Sequence, residues 1–522
     1  MNRLFVDFCS GVPDRFLKSE ETPCSRRPLP PHWAELVEVL ARQNAPENAS
    51  PAAQSAIEVL RGGGGTVVTG QQVALFGGPL YTCFKAATAL SRAQRASAAG
   101  HPHAAIFWLA TEDHDFAEIS QVVFPAGKEL RTLTYTTSEI PADSPPVGGI
   151  VLDDSILALV EQAGEILGDP PAMEALAAAY KPGRTFAQAF ADFYRTIFAR
   201  QGLLVVDASG REFHRAGAPV LKAALERADE LHQALLERNR ALEEAGYHAQ
   251  VAVTEQSSLL FLIDEQTGAR VALKRTPASA QEPNGLWHAG RQSYATSELV
   301  GILESEPERI SPSALLRPVF QDFLLGTSGV VGGPAEIAYF AQSGVLYERI
   351  LGRQTPALPR FTATLIEPAI AEQLRKHDLM PDQVFGADAD SLARRLAERA
   401  MPKDGKRRLD ATGEALEAEL AALLAWMHAL DKGLGQSAET AAGKMRYQMD
   451  RLRRLADNFQ LQREASLGRH AQAICNAIFP EGQLQERVHG GAYYFARYGL
   501  ELAETLVSQA ATPCPGHVAL WL

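Results

Sequence analysis

The sequence predicts an α/β protein in which a parallel-sheet core carries insertions and is followed by a long helical pair. Three observations carry this. Thr66 to Lys85, TVVTGQQVALFGGPLYTCFK, runs from a β-branched strand (Thr66 to Val68) through a loop of Gly and Gln into a helix over about Pro79 to Ala99, and an apolar strand, Ala105 to Leu109, follows. Strand, helix, strand at this spacing is half of a βαβ unit, whose strands lie parallel. A helix rich in Phe and Ala, Phe186 to Arg200, then leads into GLLVVDASG, a buried strand ending in Asp207 that resumes the alternation. After Pro368 the composition turns to Ala, Leu, Glu and Arg, and LEAELAALLAWMHAL and KMRYQMDRLRRLADNFQLQ place apolar residues at helical spacing. Gly433, Gly435 and Ser437 mark the expected turn between two antiparallel helices.

In chain order, residues 1–60 form a lead-in broken by Pro28, Pro30, Pro31 and Pro46, and 61–120 hold the first half of the core. Residues 121–185 turn rich in Pro and Gly and read as an insertion. The second half of the core occupies 186–366, with a further insertion at about 210–310 whose strands, Ser258 to Ile263 and Val271 to Lys274, suggest a hairpin, and with sheet-like core material from Leu315 to Glu348. The helical pair covers 367–470, and 471–522 return to the core. At 522 residues the chain exceeds one compact core, so two or three domains are expected.

Composition narrows the function classes. Fifty Lys and Arg against 62 Asp and Glu give a net charge of −12, which argues against a nucleic-acid-coating surface while allowing a local basic pocket. No run of about 18 apolar residues occurs and the N-terminal stretch is interrupted by charge, so neither a membrane span nor a leader is expected and the protein reads as cytoplasmic. Cys9, Cys24, Cys83, Cys475 and Cys514 show no metal-ligand or redox spacing and are expected as free thiols.

Four constellations can carry chemistry. In the first, Thr69, Gly70, Gln71, Gln72, Gly77 and Gly78 precede a helix bearing Tyr81 and Lys85. Glycines let backbone N–H groups approach a ligand, and a helix start adds unpaired donors at its positive dipole end. In the second, FWLATEDHDFAEI, a buried strand containing Trp108 delivers Glu112, Asp113, His114 and Asp115 at its carboxyl edge, where ligands of open α/β sheets bind. Such a cluster can hold Mg²⁺ or act as a base toward an amine. The third brings Arg317, Gln321 and Asp322, then Gly332, Gly333 and Glu336 around a Pro-initiated helix. The fourth, QERVHGGAYYFARYG, offers Glu486, Arg487 and His489 beside aromatics.

These blocks, in this order, closely resemble the cysteine-adding enzymes of bacillithiol biosynthesis over nearly the whole chain. The resemblance implies a Rossmann-like core related to class I aminoacyl-tRNA synthetases and nucleotidyl transferases, with connecting-peptide insertions and a C-terminal coiled coil that pairs subunits into a homodimer. It implies a ligase joining the carboxyl of cysteine to the amine of glucosaminyl malate. An amide made from a free carboxylate needs activation, so ATP, with Mg²⁺, is inferred as an acyl-adenylate or acyl-phosphate donor, although no Walker-type loop is present. Carried onto this chain, Thr69 to Pro79 would take the place of the first ATP-binding motif of the synthetases. His114 or Asp115, beside Glu112, would be the base for the amine, and Arg317 and Arg487 would meet malate carboxylates or a phosphate. The chain departs from the family at Ala74, where Gly is common, at Leu325 and Gly326, where Leu-Pro is common, and at Gly490, where Asn is usual. Two other readings stand beside this one: a ligase for another amino acid or amine, and a non-catalytic nucleotide-binding scaffold, which the cost of desolvating the Glu112 to Asp115 charges disfavours.

Overall fold

The computed structural model describes residues 3–12, 15–19, 28–44, 50–137, 145–254, 256–276, 285–463, 466–512 and 516–522. Pro46, Cys24 and Cys514 lie outside these; Cys9, Cys83 and Cys475 are free thiols. The chain forms two compact units, the first made of Met1–Phe124, Arg131–Thr362 and His489–Val518, the second of Pro125–Leu130, Ala363–Val488 and Ala519–Leu522. Among the described residues no helix is long and apolar enough to cross a membrane.

The first unit is built on five parallel strands: β1 (Gly65–Gln71), β2 (His103–Leu109), β3 (Leu204–Asp207), β4 (Thr327–Gly332) and β5 (Ala357–Pro359). Their spatial order is β5-β4-β1-β2-β3. This is the doubly wound order, in which the chain leaves β1 toward β2 on one side and returns to β4 on the other, so the switch point lies between β1 and β4. Val67, Val68, Ile106, Phe107, Val205 and Val206 are buried, as strands covered by helices on both faces must be. Each such side chain contributes about 1.5–3 kcal/mol, which makes apolar burial the force that fixes the scaffold.

The covering helices include α1 (Tyr81–Ala98), α2 (Phe186–Ile197), α3 (Arg211–Glu226), α4 (Arg317–Leu325) and α5 (Pro334–Leu351). Thr185 and Gln188 start α2 with a reciprocal capping box. The edge strand β3 is closed by side chains of Trp33–Asn44: Asn44 Oδ1 accepts from Val205 N at 2.8 Å while its Nδ2 donates to Val205 O at 2.9 Å.

Two expected elements differ. Leu315 to Glu348 is mostly helix, α4 and α5 around the single strand β4, because a buried apolar run has the same look in either state. The expected hairpin near 258–274 does form: Leu260–Ile263 pairs antiparallel with Arg270–Ala272, Ile310–Pro312 adds a third strand, and a second three-stranded sheet begins at Lys274–Thr276. In the second unit the two long helices, Lys403–Leu430 and Lys432–Arg463, break at Asp431, whose carboxylate accepts from Leu434 N at 2.9 Å. Gly433, Gly435 and Ser437 lie inside the second helix. A Cβ on Gly435 would stand 2.1 Å from His428 Nδ1, so that glycine serves the close approach of the two helices rather than a turn.

Candidate active site

At the carboxyl ends of β1 and β4 the sheet gathers buried charge. Lys85, on the second turn of α1 and 3% exposed, points its ammonium at three acceptors: Gly70 O at 2.9 Å, Gln71 Oε1 at 2.7 Å and Glu336 Oε2 at 2.5 Å. All three of its donors are used. Burial pushes its pKa down, Arg360 and Arg317 add to that, and the Glu336 carboxylate resists it. Glu336 also accepts from Gly333 N at 2.9 Å, so Gly332 and Gly333 end β4 in a turn that the first residues of α5 cap. Gln71 donates to the Tyr81 hydroxyl at 3.2 Å, and the Tyr81 ring lies 5.9 Å from Lys85 Nζ and 5.4 Å from the Arg360 guanidinium. Arg317, half-buried at the start of α4, lies near Tyr339; burial opposes its charge, but Tyr339, Asp113 and Glu336 raise its pKa.

On the β2 side the acidic loop divides its labour. Gln72 Nε2 donates to Asp113 Oδ2 at 2.5 Å, tying the loop after β1 to the loop after β2. Burial would raise the pKa of Asp113, yet Gln72, the His114 amide, Arg317 and Arg270 hold it below the ordinary value. Glu112 Oε1 lies 3.0 Å from Nε2 of His214, a fully buried histidine on α3 whose Nδ1 faces Ile310 O at 2.9 Å. Burial alone would discharge this imidazole; Glu112 outweighs it and the pKa is raised above the ordinary 6.5. The stability this pair contributes is therefore complete below that ordinary value and lost as pH rises through the raised one. Thermal unfolding followed across pH should show the loss in wild type and a flatter curve in Glu112→Gln; equal curves would contradict the pairing. His114 is 44% exposed, 3.6 Å from Asp113 Oδ1, with its ring 6.2 Å from that of Phe261. Asp115 is exposed and caps the short helix Phe116–Ile119 through Glu118 N at 3.1 Å, a local structural task.

Several residues singled out in the sequence stand elsewhere. Gly77 and Gly78 do not form an anion cradle. Gly77 N donates to the Tyr180 hydroxyl at 3.0 Å, Gly77 O accepts from Tyr194 at 2.9 Å, and Gly78 O accepts from Gly491 N at 3.0 Å. Both have positive φ, and a Cβ on Gly77 would sit 2.6 Å from the Phe193 ring, so the loop is a buried packing turn. Thr69 is buried within the sheet, its hydroxyl 3.3 Å from Val331 O. Gly70 lets β1 run close to β2, where a Cβ would lie 3.1 Å from Trp108 O. Trp108 packs edge-to-face on Phe320 in the core. Gln321 is buried one turn along α4 from Arg317. Asp322 is held by Arg353, by Thr355 at 2.6 Å and by Thr327 N at 2.8 Å, at the amino end of β4, opposite the edge that carries Gly332. Arg487 is exposed on Gln485–Val488 of the second unit. Among the described residues no cluster of His, Cys, Asp and Glu forms a metal site.

The family model described as "Bacillithiol biosynthesis BshC, N-terminal Rossmann-like domain" matches residues 16–361, and "Bacillithiol biosynthesis BshC, C-terminal coiled-coil domain" matches 363–520. The chain belongs to the BshC family. It is 42% identical to the "Putative cysteine ligase BshC" of Koribacter versatilis over 90% of this chain and 86% of that one. The correspondingly named proteins of Solibacter usitatus and Salinibacter ruber are 35% and 30% identical, over 94% and 98% of this chain and 89% and 95% of theirs.

In this BshC chain, two of the positions that the resemblance marked as departures have packing reasons. A Cβ on Gly490 would stand 2.5 Å from both Phe124 and Val122, and Gly490 also pairs in an isolated bridge with Pro79. Gly326 ends α4 in the left-handed conformation, its N–H on Asp322 O at 2.8 Å, a position proline cannot occupy. The sequence reading missed Arg360, Tyr339, His214, Arg270 and Phe261. Arg270 lies on its own small sheet with its guanidinium 3.7 Å from the Phe261 ring centroid; burial lowers its pKa while Glu112 and Asp113 resist. No local motif marks these five residues. A lone His or Arg on an insertion becomes visible only once the fold brings it to Glu112.

Proposed function

We propose that this site joins the carboxyl of cysteine to the amine of glucosaminyl malate, with ATP activating the carboxyl. The observation that carries the reading is the division of charge at the sheet edge. Lys85, Arg317 and Arg360 outnumber Glu336 on the β1–β4 side, and on the β2 side Glu112 and Asp113 offer carboxylates beside Arg270 and His214. A ligand rich in carboxylate or phosphate suits the first group, and a protonated amine suits the second. Family membership supports cysteine as the acyl partner, as the printed names of the relatives state for those proteins.

The residues fit a nucleotide only in part. Arg317 and Arg360 suit phosphate oxygens, whereas the Gly77–Gly78 turn has its groups already engaged. ATP would supply a leaving group on the cysteine carboxyl, and Mg²⁺ would accompany it. The protein's own contribution is to bind and orient: Gln72 fixes Asp113, Lys85 holds the β1 and β4 loops at one spacing, and Arg317 presents a planar double donor to an anion. His114, exposed beside Asp113, is placed to accept the proton the amine loses.

In the second unit, Leu423, Trp426, Leu430, Leu434, Leu455 and Phe459 are exposed on the long helices. A second copy of the helical pair would cover them, making the protein a homodimer. Free thiols and an ATP-dependent synthesis accord with a cytoplasmic location. The reaction is tested by omitting ATP, cysteine or glucosaminyl malate in turn: amide should appear only when all three are present.

A further inference from the structure

The proposed reaction leaves His214 without a task, yet it is the most deeply buried ionisable group touching the acidic loop. Its Nε2 lies 3.0 Å from Glu112 Oε1 with the N–H off the line of the contact, so the attraction is Coulombic before it is a hydrogen bond. Its Nδ1 faces the carbonyl of Ile310 at 2.9 Å. Both neighbours are acceptors, so a neutral ring would turn a lone pair toward one of them; the imidazolium satisfies both. The ring is also wedged against Phe320, 5.6 Å between centroids, and cannot swing away. Among the described residues His214 is the one ionic partner of Glu112, whose side chain keeps 15% of its surface exposed. The other charges acting on the pair are Glu308 on His214 and Arg270 on Glu112.

We propose that His214 is a positioning residue of the amine subsite: its buried imidazolium holds the Glu112 carboxylate oriented at the sheet edge, where Glu112 receives the positive amine of the acyl acceptor. The proposal rests on the ligase reading for the identity of that amine, and on the geometry alone for the pairing. Without the imidazolium, the carboxylate loses its buried ionic partner and the fixed orientation with which it grips a cation. The amine, not cysteine, should feel the change.

The experiment measures KM for glucosaminyl malate and for cysteine, each against pH, in the full chain carrying Glu112→Gln, His214→Phe or His214→Gln. Loss of one charge-assisted contact predicts a rise of about ten- to a hundredfold in KM for the amino sugar. KM for cysteine should stay unchanged. His214→Phe should show the larger rise for the amino sugar, and His214→Gln, which keeps a donor without the charge, should fall between Phe and wild type. If His214→Phe does not fold, His214→Gln and Glu112→Gln carry the comparison. An unchanged KM for the amino sugar in a folded variant, or an equal rise for cysteine, overturns the proposal. If wild type forms no amide at all, the ligase reading fails, and calorimetry of glucosaminyl malate with wild type and Glu112→Gln decides the subsite: weaker binding by the variant upholds it, equal binding or none by both overturns it.

Discussion

Lys85→Met is expected to destabilise the first unit by about 3 kcal/mol, the lower end of the cost of breaking a buried ion pair from one side. Methionine fills much the same volume, so the cost is not a cavity. It comes from leaving Gly70 O, Gln71 Oε1 and the Glu336 carboxylate without the ammonium that satisfies all three. The lower end applies because Glu336 keeps Gly333 N as a donor and its side chain is 21% exposed. Adding Glu336→Gln should recover part of the loss, since it removes the orphaned charge. Chemical or thermal unfolding of the single and double variants checks this. A change below about 1 kcal/mol would place Lys85 among ordinary partly solvated ion pairs, which are worth no more than that.

Arg317→Ala is expected to lower amide formation by about a hundred- to a thousandfold, the usual effect of removing one preorganised donor from a reacting centre. Tyr339, Asp113 and Glu336 all favour its charge, so it stands between the cationic and acidic halves of the site. Arg317→Lys should recover little, because an ammonium cannot make the planar double contact that a carboxylate or phosphate accepts. Initial rates with saturating cysteine and ATP test it in protein shown to be folded. Activity within an order of magnitude of wild type would move the anion subsite elsewhere.

What could be read from the sequence follows the range over which each signal acts. The strands β1, β2 and β3 were legible because apolar and β-branched runs between glycines and charges are local patterns; β1 and β2 extend their expected bounds by a few residues, and β3 ends at Asp207 as expected. The placement of Glu112 to Asp115 at a carboxyl sheet edge was legible for the same reason. The roles inside the cluster were not. Gln72 finds Asp113 across 41 residues, and Glu112 finds His214 across an insertion, through pairings that no spacing encodes. The Gly77–Gly78 turn misled because close packing on Phe193 and contact with a phosphate ask the same thing of a backbone. The partners that decide between them, Tyr180 and Tyr194, lie a hundred residues away or more. Gly435 misled likewise, since a glycine in a polar stretch marks a turn or a close helix contact equally well.

The reaction proposed for this sheet edge is amide formation between cysteine and glucosaminyl malate. Mass spectrometry of purified protein incubated with cysteine, glucosaminyl malate and ATP, run beside Arg317→Ala, tests it most directly. The expected result is a new species at the mass of the two substrates joined with loss of one water, dependent on ATP and nearly abolished in the variant. Folded wild-type protein that yields no such species with any nucleotide, or a variant that yields it as readily as wild type, would contradict the account.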